Sequence, residues 1–201
     1  QNRNRMFKRL KEFVAENVGP RTEAEVVTYN RSLKVKRKFT SDASEIVGAL
    51  EETELETGAG TSQASERKDA LSRINESTDP NQALQIARSY SRSLRNDLQF
   101  ATDAIRDTIN QLAGMKGRKI LVYVSEGLPA TAGIELFDAV QTKFRENTST
   151  LEAFEFDMNS KYTGIIQAAN AQGVTVWALD ASGLTVDEFM TAENRQMDIR
   201  P

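Results

Sequence analysis

Apolar positions along the chain recur with two different periods, and the alternation between them sketches the elements. Between residues 3 and 17, Met6, Leu10, Phe13 and Val14 fall at helical spacing with Lys and Arg opposite, which predicts an amphipathic helix stopped by Gly19-Pro20. Glu25 to Tyr29 reads as a short strand around Val26 and Val27. From Leu33 to Phe39 the chain alternates, with Leu33, Val35 and Phe39 on one side and Lys34, Lys36 and Lys38 on the other. Two readings of those lysines stand side by side: an edge strand guarded against unwanted pairing, which is the commoner use, and a basic patch for an anionic partner. Asp42-x-x-Glu45 opens a helix that buries Ile46, Val47 and Leu50, with Asp42 as cap and Glu45 reaching back.

Residues 53 to 65 lose periodicity and predict a loop, followed by a short helix from Ser65 to Asn75. Asp79-Pro80-x-Gln82 combines a cap residue, a proline at the first helical position and a capping-box glutamine. From there Leu84, Ala87, Tyr90, Leu94, Leu98, Ala101, Ile105, Ile109 and Leu112 recur without a Gly or Pro. A helix of about 33 residues would be about 50 Å long, against about 20 Å for a typical strand. It therefore projects as a hairpin over residues 62–98, lies along a sheet, or breaks near the Ser-rich segment 89–93.

The stretch Gly117 to Pro129 organises the rest. Ile120 to Val124 is an unbroken, β-branched apolar run bounded by Gly117 on one side and Gly127 and Pro129 on the other, which predicts a strand covered on both faces, as in a parallel sheet. It ends in Ser125, Glu126 and Gly127, placing a carboxylate at the strand end where ligands of open α/β sheets bind. A helix follows from Gly133 to Arg145 with Ile134, Phe137, Val140 and Phe144 inward, then a polar break at 147–150 and an alternating stretch through Phe154, Phe156 and Met158 that reads as extended or lid-like. Ser160 to Gln172 predicts a helix burying Tyr162, Ile165, Ile166 and Ala169, closed by Gly173. Val174 to Leu179 is a second buried strand, ending in Asp180, and Leu184 to Met190 starts a further helix.

Composition narrows the chemistry. The 201 residues contain no histidine and no cysteine, which excludes a Ser-His-Asp triad, a thiolate nucleophile and the usual zinc sites. A formal net charge of -3 gives no global field for nucleic acid or anionic membrane, and no apolar run reaches the roughly 18 residues of a membrane span. There is no Gly-x-Gly-x-x-Gly after a strand and no phosphate-cradling loop. The helix–strand–strand–helix order begins without a strand and ends without one, so the first strand of a doubly wound sheet is missing and both ends look cut.

Four stretches together resemble a von Willebrand factor type A domain, in particular the bacterial VWFA-related proteins of the acidobacterial type: Val26-Val27-Thr28-Tyr29-Asn30 with Leu33 and Phe39-Thr40-Ser41-Asp42; Gly117-Arg118-Lys119 with Ser125-Glu126-Gly127; Ala168-Ala169-Asn170-Ala171 with Gly173-Val174; and Trp177-Ala178-Leu179-Asp180 with Gly183-Leu184. The resemblance implies an α/β fold, a Rossmann-like, doubly wound and mostly parallel sheet flanked by helices, in one domain over residues 1–201 with a helical insertion at 54–98. It implies a protein-binding module with no catalytic residues, exported from a bacterial cell. It also implies a metal-ion-dependent adhesion site for Mg²⁺ or Mn²⁺, degenerate here. Its Asp-x-Ser-x-Ser loop would fall before Gln1, Glu126 stands where the family carries Asp, and Thr61 corresponds to the family's threonine. Ser125, Glu126, Asp180 and Asn30 would face the partner. Two alternatives remain: an enzyme using Glu126 or Asp180 as a base or metal ligand, and an assembly protein pairing through Tyr90, Leu94 and Leu98.

Overall fold

A computed structural model describes residues 2–56, 60–125, 127–145 and 148–181, with the side chains of Asn2, Gly60, Thr61, 148–150 and Asp180 outside the description. The fold is mixed α/β. Helix α1 (Asn2–Asn17) leads into β1 (Ala24–Tyr29) and β2 (Leu33–Thr40), an antiparallel hairpin, then α2 (Ala43–Leu55). A helical pair, α3 (Gly60–Glu76) and α4 (Pro80–Ala113), precedes β3 (Lys119–Ser125). Helices α5 (Ile134–Phe144) and α6 (Thr148–Ala153), a 3-10 turn (Phe154–Phe156) and α7 (Asn159–Gln172) lead to β4 (Val174–Asp180), which pairs with β3 in parallel.

One expectation is corrected at once. Among the described residues the strands form two separate two-stranded sheets, β1-β2 and β3-β4, in place of one continuous doubly wound sheet. Among the described residues the run Ile120–Val124 is clad on one face. Leu121, Tyr123 and Val176 pack with Ile105 and Ile109 of α4 and Ile165 and Ala169 of α7. The opposite face stays open, with Ile120, Trp177 and Leu179 between 37% and 42% exposed, and it is touched by Phe13 of α1, whose ring meets Trp177 edge-on at 6.0 Å.

Helix α4 is unbroken over 34 residues. Asp79 caps it by accepting from Asn81 N, with Pro80 in the first turn, whereas Gln82 accepts from Ser77 Oγ and does not close a capping box. The helix neither stands bare nor lies wholly on a sheet. Its N-terminal half joins α3, α5 and the 3-10 turn in the largest core, built on Ile74, Ala83, Leu84, Leu136, Phe137 and Met158, while its C-terminal half packs on β3 and β4. Leu98 is buried in this core, and Tyr90 and Leu94 pack against it half-buried. Phe137 is fully buried and stacks on Phe156 at 5.7 Å.

Polar clasps hold the helical end. Lys143 donates from Nζ to the carbonyls of Ile74, Asn75 and Ser77, satisfying acceptors at the C-terminus of α3 that no helical N–H can reach. Arg88 grips Glu152 through two parallel bonds of 2.6 and 2.5 Å. Gly133, with φ 71°, starts α5 where a Cβ would come within 2.2 Å of Ser91 Oγ, so only glycine fits.

Local expectations shift elsewhere. The loop expected over 53–65 is mostly helical, since α2 runs to Leu55 and α3 begins at Gly60. The Glu45 side chain does not close a box around Asp42, which accepts from Ser44 N at 2.8 Å. Ile134 and Ile166, expected inside, are 42% and 60% exposed, and Leu136 takes the buried place in α5. The extended or lid-like reading of 154–158 gives way to a 3-10 turn that buries Phe156 and Met158. The polar break at 147–150 falls partly outside the description, with α6 running from Thr148; the helix expected from Leu184 lies wholly outside the described residues.

Candidate functional site

Helix α4 serves as a ruler for the strand ends. Its C-terminus feeds β3 after a short turn, so β3 runs back along it. On β1, Glu25 accepts from Gln111 Nε2 at 3.2 Å, while Tyr29 lies near Asp103 and Asp97. Thus β1 also runs back along α4, and the C-terminal ends of β1, β3 and β4 point the same way. Asn30 follows Tyr29 at that end, and Ser125 and Asp180 are register partners there.

Of the expected site residues, Ser125 and Asp180 are brought together as register partners, and Asn30 follows β1 in the other sheet. Asn30 is exposed in a three-residue turn, its N–H donating to Ser32 O at 3.2 Å around Arg31, which has φ 57°. Ser125 Oγ accepts from Gly127 N at 3.2 Å, and Ser125 O accepts from Ala181 N at 2.8 Å, which ties the two strand-end loops together. Glu126 lies outside the described residues, as do the side chains of Asp180 and Thr61. Among the described residues no group of three or more acidic side chains converges in a way that could hold a metal ion. The donors described at this end, the Ser125 hydroxyl and the Asn30 amide, are neutral. A hard divalent cation prefers charged oxygen ligands, so its fit here rests on Glu126 and Asp180.

Behind the strand ends sits Tyr162, whose hydroxyl donates to Pro129 O at 2.8 Å. Burial pushes its pKa up to about 12, with Tyr123 and Asp157 adding to the effect. This bond anchors α7 to the loop that follows β3, a role beyond the packing that helical periodicity assigns to Tyr162.

On β2 the alternation expected to set Lys34, Lys36 and Lys38 on one side is interrupted, because the strand slips register against β1 on both sides of the Val26–Arg37 pair. Lys36 pairs with Glu56 beyond the end of α2, and Arg37 Nη1 lies 4.0 Å from Glu45. No described helix is long and apolar enough to cross a membrane. Compared with known proteins, the chain matches no family model, no curated protein and no solved structure.

Proposed function

We propose that the chain is a non-catalytic protein-binding module of the von Willebrand factor A type, presenting the C-terminal ends of its strands to a protein partner. The observation that carries this reading is the register of the parallel pair: Ser125 and Asp180 stand opposite each other at the ends of β3 and β4, with Glu126 next in the chain. In this reading Asn30, just past the end of β1, would face the same partner. Residues 1–201 then form one α/β domain, and residues 54–98 are an insertion onto which α5 and α6 have come to rest.

A Mg²⁺ or Mn²⁺ ion would be held by Glu126, with Thr61 as a hydroxyl ligand and an open position for a partner carboxylate. Thermal melts in EDTA and then in millimolar Mg²⁺ or Mn²⁺ test this. Metal at about 100 times its dissociation constant adds about 2.7 kcal/mol, and Glu126→Ala abolishes the gain. A melt indifferent to metal in the parent chain removes the ion and leaves binding by surface alone.

A further inference from the structure

We propose that the segment 184–197 of this chain docks on the open face of the parallel pair and covers Ile120, Trp177 and Leu179. The face is built by register. Ile120 stands beside Thr175, Val122 beside Trp177 and Val124 beside Leu179, and partners in a ladder point to the same side of the sheet. Five of these six side chains are apolar and none is charged. Ile120, Trp177 and Leu179 remain exposed there, with Phe13 against the Trp177 edge. Parallel strands are ordinarily layered on both faces, so this face fits an apolar occupant of about the strands' own length.

The covalent continuation of β4 supplies one. Ala181 follows the strand directly, and its N–H donates to Ser125 O. Residues 182–201, which lie outside the described residues, therefore leave from the strand ends that border this face. Their sequence carries a helix start: Thr185 as cap, Glu188 three residues on as its capping-box partner, and Leu184 and Phe189 flanking them as a hydrophobic staple. Val186, Phe189, Met190 and Met197 then recur on one helical side, interrupted by Glu193, with Glu188, Thr191 and Arg195 opposite. A helix over 186–197 would span about 18 Å, against about 23 Å for the seven residues of β4. The connection 182–185 contains Gly183 and has the ordinary length of a strand-to-helix turn. So short a tether gives an effective concentration of about 1 mM, which favours this segment over a second copy or a free partner at micromolar concentration. Docking withdraws the face from contact with other molecules.

Trp177 is the chain's single tryptophan, so its fluorescence in the full chain reads the face directly. Among the described residues it is 42% exposed, which leaves acrylamide a path to the ring unless something else covers it. At low micromolar concentration the native chain is expected to emit well to the blue of the urea-unfolded chain and to resist acrylamide. Phe189→Asp/Met190→Asp breaks the stripe and is expected to move both readings toward the unfolded values. Thr191→Asp, on the opposite side, should change neither. Far-UV circular dichroism in a urea melt checks that each variant keeps its helical core; should the double variant melt early, Val186→Ser is read in its place and is expected to raise quenching. Native quenching as free as the double variant's would overturn the proposal, as would equal readings from Thr191→Asp and the double variant. Quenching that falls as chain concentration rises, with a dimer by light scattering, would assign the face to a second copy and overturn it too.

Discussion

The two ends of α4 sit in contrasting company. At its N-terminal end the large apolar side chains of the core find partners: Ile74, Leu136 and Phe137 are fully buried among the helices, and loose backbone carbonyls at the end of α3 are taken up by Lys143. At its C-terminal end the parallel pair is covered once and left open once, with Ile120, Trp177 and Leu179 facing outward. Helices satisfy their own backbone and need only a partner for one stripe. A parallel strand needs a neighbour on each edge and a layer on each face. The difference teaches that the helical end satisfies most of its needs within the described residues, while the parallel pair keeps one face open among them.

Substitutions probe this contrast in order of size. Phe137→Ala removes the ring at the centre of the helical end and is expected to cost about 3–5 kcal/mol in a urea melt; a cost near that of a surface change would mean the helical end is loosely held. Lys143→Met, which keeps the stem and removes three donated bonds, is expected to cost about 2 kcal/mol, because water reaches part of what the ammonium leaves. Trp177→Ser, on the open face, gives up the Phe13 contact and is expected to cost about 1 kcal/mol. A loss of the Phe137 magnitude there would show that the face is covered in solution.

The smallest effect is confined to alkaline pH. Tyr162 is held neutral to about 12 in the fold, above its ordinary value of about 10. The folded state therefore keeps a proton that the unfolded chain has lost. Its contribution is complete below about pH 10 and fades as pH rises toward 12. Tyr162→Phe should flatten the fall of Tm across that window and leave the shape of the profile at neutral pH unchanged.

Much of the scaffold was legible because its signals are local. Asp79-Pro80 starts α4, Gly173 closes α7 in a left-handed conformation, and the run Ile120–Val124 makes β3. The start of α3 was not legible, since residues 60–65 lack an apolar stripe and hold helical form through the packing of Ala70 and Ile74 further on. Ile165 and Ile166 differ by one step around the same helix, and nothing local says which one α4 will cover. The open face of β3 was missed for a similar reason: an apolar run shows that a strand can be covered on both sides, and the covering layer is encoded elsewhere. At the candidate site the strand ends Asn30, Ser125 and Asp180 followed from the element boundaries. The Lys143 clasp and the fit of Gly133 against Ser91 join residues remote in sequence and left no pattern to read.

One consequence of α4 is mechanical. A straight helix of 34 residues is a rod about 50 Å long, gripped near one end by Arg88 and Glu152 and bedded at the other on β3 and β4. Pivoted at its middle, a tilt of about 5° carries each tip about 2 Å. That is most of a hydrogen-bond length. A load on the α3–α5 end would thus arrive at the last turn of α4 as a displacement beneath the start of β3 near Lys119, while Ser125, at the far end of that strand, lies closer to the pivot and moves less.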